Sequence, residues 1–189
     1  MVTENMVISI KGIDKIVVLG MGASGLSALK FLHFMGKDCY AVNQGDVSEW
    51  GESSETLKQL DDDHKVSQKD AKSVVEKAEL IIISPGIPRD IELLKDCKIP
   101  IWSEIELAYQ FLSSEEVLAI TGTNGKTTTV SFLEQCLQHE GIEHFVGGNI
   151  GTPFCDYTYG KLSGERKRAK VVLLELSSFQ LESMYNFRA

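Results

Sequence analysis

The sequence predicts two consecutive α/β units, each a parallel sheet with helical crossovers. Three observations carry that prediction. Short β-branched runs alternate with longer helical patterns. Glycine or proline marks nearly every junction between them. Each half also opens on strand, glycine-rich turn and helix in the same order. The 189 residues leave room for one domain or two small ones, at roughly 150 residues per domain. The polar stretch SSEE at 113–116 is read as the seam, so that 1–113 form the first unit and 114–189 the first part of a second, incomplete one.

In the first unit, KIVVL (15–19) reads as a buried strand, SGLSALKFLHFM (24–35) as a helix stopped by Gly36, and DCYAVN (38–43) as a second strand. Together they make a β-α-β unit. After the solvated acidic run LDDDHK come a short strand at 65–67 and a helix over DAKSVVEKA. The strand ELIIIS follows, and its four-residue apolar centre suits a strand covered on both faces. PGIP (85–88) ends it; a helix at 91–95, a strand at IPIWS and a helix at EIELAYQFL complete the alternation.

The second unit reads as a strand VLAI (117–120), a glycine loop, a helix to about residue 140 and a strand HFVGG (144–148). The loop NIGTP, a helical or irregular segment, the basic turn GERKRAK, a strand VVLLE (171–175) and the start of a helix in SSFQLESMY follow. Only about three strands of the second sheet fall in this stretch, below the usual five to six. An uncovered apolar edge is expected, with dimerisation or loss of order beyond residue 115.

A net charge of −8 argues against a protein that works by neutralising nucleic-acid phosphates, which needs clustered excess cations. No apolar run approaches the roughly 18 residues of a membrane span, and the N-terminus lacks the pattern of a secretory signal. Cys39, Cys97, Cys136 and Cys155 form no C-x-x-C pair, so a reducing cytoplasm is expected. Cys136 is read as a small core residue on a stripe with Val130, Leu133 and Leu137.

Gly20, Gly22 and Gly25 give G-x-G-x-x-G between a strand and a helix. Glycine there permits a tight turn and close ligand approach, and the helix N-terminus favours a phosphate. The competing reading is a plain tight turn. A dinucleotide site wants an acid ending the second strand, and this chain has Asn43, with Asp46 beyond it. None of His33, His64, His139 and His144 sits where a hydride-transfer partner would, so a dehydrogenase is disfavoured. Ser84, Pro85 and Gly86 lie at the carboxyl end of a strand, where open α/β sheets bind ligands, and a turn there is expected to expose a hydroxyl and amides.

The second turn, TGTNGKTT (121–128), departs from G-x-x-x-x-G-K-[ST] because Ile120 stands where the first glycine would be. The residues nearest the helix still suffice. Gly122 and Gly125 let successive N–H groups form an anion nest, Lys126 supplies a point charge, and the Thr127 hydroxyl can ligate magnesium. A strand-end acid should complete such a site, and Glu175 ends VVLLE. This is a P-loop with a short entry, following a Rossmann-like first unit.

At these residues the chain resembles the Mur ligases. TGTNGKTT, GGNIG (147–151), LELSSFQLE (174–182), GMGASG and SPGIP occur in that family's order and cover almost the whole chain. The resemblance implies a ligase adding D-glutamate to UDP-N-acetylmuramoyl-L-alanine, an ATP- and Mg²⁺-dependent step of peptidoglycan precursor synthesis. By that resemblance Ala23, Ser24, Asn43, Ser84, Pro85 and Gly86 cradle the uridine diphosphate end, and Asn149 touches its sugar or peptide part. Gly122, Thr123, Asn124, Gly125, Lys126, Thr127 and Thr128 hold ATP, with Lys126 and Glu175 catalytic. Thr127, Glu175 and Ser177 serve the metal. The family often has an acid at the position of Asn43. It also has a third domain, so the 189 residues alone are expected to be inactive and prone to self-association, where the full enzyme is a monomer. A stand-alone nucleotide-binding module without chemistry is the alternative.

Overall fold

The computed structural model describes residues 10–50 and 55–189; the first nine residues of the first predicted unit lie outside the described residues. In the first unit β1 (Lys15–Leu19), α1 (Ala23–Phe34) and β2 (Asp38–Asn43) are followed by α2 (Glu55–Lys58) and β3 (Lys65–Ser67). Then come α3 (Lys72–Glu76), β4 (Leu80–Ile83), β5 (Ile101–Ser103) and α4 (Glu104–Tyr109). The five strands pair in parallel in the order β3-β2-β1-β4-β5. The order reverses between β1 and β4, so the crevice above their carboxyl ends is the place where such sheets take ligands.

Alternation along β1 builds two cores. Ile16 and Val18 face a cluster with Ala28, Phe31, Ile82, Trp102 and Ile105, while Val17 and Leu19 face one with Val42, Ala71, Val75, Ile81 and Ile83. Every residue of β4 is buried, as its continuous apolar run predicts.

The second unit consists of β6 (Glu116–Ile120), α5 (Lys126–His139), β7 (His144–Gly148), α6 (Phe154–Ser163), β8 (Val171–Glu175) and α7 (Ser178–Leu181). Its three parallel strands run β6-β8-β7. Helix α6 packs on α1 and α4 of the first unit, and its Phe154 and Tyr157 continue the first core to Val172 and Leu174. Residues beyond 115 thus form regular elements. The expected bare apolar surface is present at Leu118, 42% exposed on edge strand β6, and at Phe132, 65% exposed on α5.

Two expectations need correction. The helix expected at 91–95 is only a 3-10 turn at Glu92–Leu94, soon ended by Asp96 in the left-handed region (φ 60°). The helix expected to start in SSFQLESMY is α7, which ends at Leu181; beyond it the N–H groups of Tyr185, Asn186 and Phe187 turn to the Glu106 carboxylate. Cys136 is exposed. At 3.6 residues per turn it lies about 60° round the helix from Leu133, on the rim of the apolar stripe.

Candidate functional site

The first glycine turn is shaped by close approach. Gly20 has φ 92°, and its N–H donates to the Val42 carbonyl at 2.8 Å. A Cβ on Gly25 would stand 1.8 Å from the Gly20 oxygen, so the third glycine lets α1 start tight against the strand. Two strand ends buttress this turn. From β4, the Ser84 hydroxyl donates to the Gly20 carbonyl at 2.8 Å; from β2, Asn43 Oδ1 accepts from Met21 N at 3.4 Å. The Ser84 hydroxyl is therefore buried and turned inward rather than exposed, because the missing Gly25 side chain leaves it that space. Ala23 and Ser24 open α1, whose N-cap Gly22 brings no side-chain acceptor to the first-turn N–H groups. Those donors are available to an anion. Pro85 is half-buried and Gly86 exposed just past β4.

The second turn has Gly122 at φ 148° and Gly125 at φ 77° as the N-cap of α5, again without a side-chain cap. Thr123, Asn124, Thr127 and Thr128 are exposed around it. Lys126 Nζ folds back to donate to the Gly122 carbonyl at 2.7 Å, and Thr127 Oγ1 donates to Glu175 Oε2 at 2.8 Å. Glu175 is 2% exposed. It sits at the end of the central strand, in register with Ile120 on one side and Gly148 on the other.

The structure thus brings Thr127 and Glu175 together, with Lys126 adjacent in the chain and bonded back to the glycine turn. The buried Glu175 carboxylate and the Thr127 hydroxyl offer hard oxygen donors, the kind that suit Mg²⁺, so this pair fits that metal. Ser177 is otherwise engaged. It is the N-cap of α7, its hydroxyl accepting from Gln180 N at 3.3 Å. Asn149 is exposed, with its N–H donating to the Glu175 carbonyl at 2.7 Å. The two glycines before it let that loop close: a Cβ on Gly148 would come within 2.4 Å of Glu175 O, and one on Gly147 within 2.1 Å of Thr152 O.

A cavity of about 1070 Å³ opens elsewhere, between α3, the ends of β2 and β3 and the 92–99 stretch, and none of the predicted ligand residues lines it. His64 bonds Asp38 and Asp63 and stacks on Tyr40, which fits a surface packing role. No described helix is long and apolar enough to cross a membrane.

Sequence reasoning missed the acids that join the two units. Glu115, in the seam, accepts from Ser113 N and Ser114 N, from Tyr157 Oη at 3.0 Å and from Lys161 Nζ at 2.6 Å. Burial pushes its carboxyl up, but the Lys161 ammonium and the backbone N–H groups outweigh that and hold it at about 2. Glu104 and Glu106, both buried in α4, bind the second unit as well. For Glu104 and Glu106 the signal available was acids inside the otherwise apolar stretch EIELAYQFL.

Two successive parallel sheets, each opening on a strand, a glycine turn and a helix without a side-chain N-cap, define the class: a two-sheet parallel α/β protein. Residues 14–99 match the family model described as Mur ligase MurD-like, N-terminal domain, and residues 120–189 match the Mur ligase middle domain. The chain belongs to the Mur ligase family. It is 40% identical over 177 residues to the UDP-N-acetylmuramoylalanine--D-glutamate ligase of Lawsonia intracellularis, which covers 92% of this chain and 38% of that protein. It is 37% identical to the enzyme of the same name from Geotalea uraniireducens, with the same coverage. The chain therefore spans 38% of the length of these relatives. A UDP-N-acetylmuramate:L-alanyl-gamma-D-glutamyl-meso-diaminopimelate ligase from Neisseria meningitides aligns at a TM-score of 0.47 and 19% identity, over 86% of this chain and 52% of that one.

Proposed function

We propose that this chain supplies the UDP-substrate cradle and the ATP cradle of a ligase that joins D-glutamate to UDP-N-acetylmuramoyl-L-alanine in the cytoplasm, with 1–113 serving the first and 114–189 the second. The observation that carries the reading is the 2.8 Å contact of Thr127 with buried Glu175, beside Lys126 at a strand–glycine–helix turn. The relatives' names point to the substrates.

The chemistry requires such residues. A carboxylate does not react with an amine at neutral pH. The alanyl carboxylate first takes the terminal phosphoryl group of ATP, releasing ADP, and the D-glutamate nitrogen then displaces phosphate to form the amide. Most of the first step is positioning and neutralisation of phosphate charge. The nest at 122–125 orients the phosphates, and Lys126, released from the Gly122 carbonyl, places its ammonium on the terminal one. Thr127 and Glu175 would hold Mg²⁺, which supplies further charge neutralisation when bound. At the other cradle the N–H groups of Ala23 and Ser24 take the diphosphate. Asn43 and Ser84 keep that turn in shape, and Asn149 meets the sugar or peptide portion.

Calorimetry on this chain with UDP-N-acetylmuramoyl-L-alanine and with Mg-ATP tests both cradles. Phosphate release that depends on both D-glutamate and the muramoyl substrate, present in a longer polypeptide and absent from the 189 residues alone, would support the ligase with the remaining parts supplied elsewhere. Nucleotide binding without such turnover in either would point to a binding module.

A further inference from the structure

The first turn of α4 grips the second unit at two separated places. On one side, Ser103 N donates to the Ser183 carbonyl at 2.8 Å. Glu106, with no solvent exposure, accepts from three successive N–H groups of Tyr185, Asn186 and Phe187 at 3.0, 3.0 and 3.1 Å. On the other side, Glu104, 1% exposed, accepts through Oε1 from the N–H of Cys155 in the first turn of α6. Its Oε2 has no partner among the described residues. Burying a carboxylate that way costs free energy, and what it meets is a need of α6. The N-cap of that helix is Pro153, with no side-chain cap, so an acid from the other unit satisfies donors that are otherwise orphaned. Immediately before α6 runs the loop that starts at Asn149, tied by Asn149 N to Glu175 O at 2.7 Å and by Gly148 N to Thr152 O at 3.1 Å.

We propose that Glu104 is a positioning residue: by capping α6 across the seam it fixes the 149–153 loop relative to the first glycine turn. A ligand reaching from that turn to Asn149, a nucleotide with a sugar–peptide extension, is then held at both ends only while the cap is made. The identity of that ligand rests on the function proposed above; the cap does not. The titratable groups facing Glu104 are Cys155 and Asp156 on α6, while α1, packed on both helices, places Lys30 over the Tyr159 ring. No salt-bridge partner reaches Glu104 among the described residues. Burial foremost, with Asp156 adding to it and the Cys155 N–H opposing it, pushes the carboxyl up to about 7, which makes the cap responsive near neutral pH.

The test measures the affinity of the 189-residue chain for UDP and for UDP-N-acetylmuramoyl-L-alanine, together with amide exchange at Cys155 between pH 5 and 8. The extended ligand should bind about tenfold or more tighter than UDP, that is by roughly 1.4 kcal/mol. Glu104→Leu should erase that advantage, leave UDP affinity unchanged and speed exchange at Cys155. Glu104→Gln keeps an acceptor oxygen and should restore both, without the pH response of the wild type. A folded Glu104→Leu variant with the affinity ratio and exchange unchanged overturns the proposal. If that variant does not fold, an identical pH response of exchange in wild type and Glu104→Gln overturns it instead. Should neither ligand bind the wild type, the proposed function fails, and exchange at Cys155 still decides the cap.

Discussion

Thr127 and Glu175, 48 residues apart in the chain, meet in a 2.8 Å hydrogen bond between the first turn of α5 and the end of β8. The hydroxyl and carboxylate point at one another across the gap between the second glycine turn and the central strand, so each orients the other. Thr127→Val and Glu175→Gln should each weaken Mg-ATP binding about tenfold or more, and the double variant should lose little beyond either single one, since groups acting as one unit are non-additive. A fluorescent ATP analogue titrated with and without Mg²⁺ reads this; full additivity would mean that the two do not share a site.

Lys126, next in the chain to Thr127, donates to the Gly122 carbonyl at 2.7 Å, and the proposed function gives its charge to the phosphates. In a longer, active polypeptide, Lys126→Ala should lower turnover on the order of 100-fold, the scale of losing one electrostatic stabiliser of a transition state. Normal turnover would remove the lysine from the chemistry.

Gly25 and Gly22 of the first turn should respond to alanine very differently. Gly25→Ala drives a methyl to within 1.8 Å of the Gly20 carbonyl and should cost roughly 1–3 kcal/mol or more, as overpacking does. Gly22→Ala enters open space at φ −74° and should change stability by less than about 1 kcal/mol. Thermal melts of the two variants compare them directly.

Glu115 and Glu104 should give pH dependences of opposite sign. The Glu115 carboxyl is held down at about 2, so its contribution is full above the unfolded value near 4.5 and disappears as pH falls from there towards 2. Glu115→Gln should lose roughly 2–3 kcal/mol at pH 7, a gap that closes in acid. The Glu104 carboxyl is pushed up to about 7. The folded state therefore holds the proton longer, and stability falls as pH rises from about 4.5 to about 7. Glu104→Gln should flatten that slope, as denaturant titrations across the pH range will record.

The thiols divide by burial. Cys136 is exposed, Cys97 half-buried, and Cys39 and Cys155 buried. Burial lifts Cys39 to about 12 and Cys155 well above the ordinary thiol value, so the thiolate that reacts is scarce at both. Ellman's reagent should modify Cys136 first and reach Cys39 and Cys155 only on unfolding; early loss of Cys155 would contradict its place under α4.

Both glycine turns could be read from the chain because a strand, a turn that only glycine fits and a helix start are written in consecutive residues, as are the buried strand LIII and the strand-end Glu175. What joins the two units could not be read in that way. Whether Cys136 is core or rim depends on which face of α5 meets the sheet, and its position about 120° round the helix from buried Val130 put it outside. Periodicity marks a face, but not what lies opposite it. Glu104, Glu106 and Glu115 look in sequence like solvated acids. They are buried because α6 and the 183–187 segment return to α4 and the seam from 40 to 80 residues away, bringing backbone donors and Lys161 to them. The inward turn of Ser84 has the same origin, since the space it fills is made by a glycine 59 positions earlier on a neighbouring strand's turn. Local geometry fixed where the two glycine turns fall, and long-range packing decided which carboxylates could be kept dry to join the units.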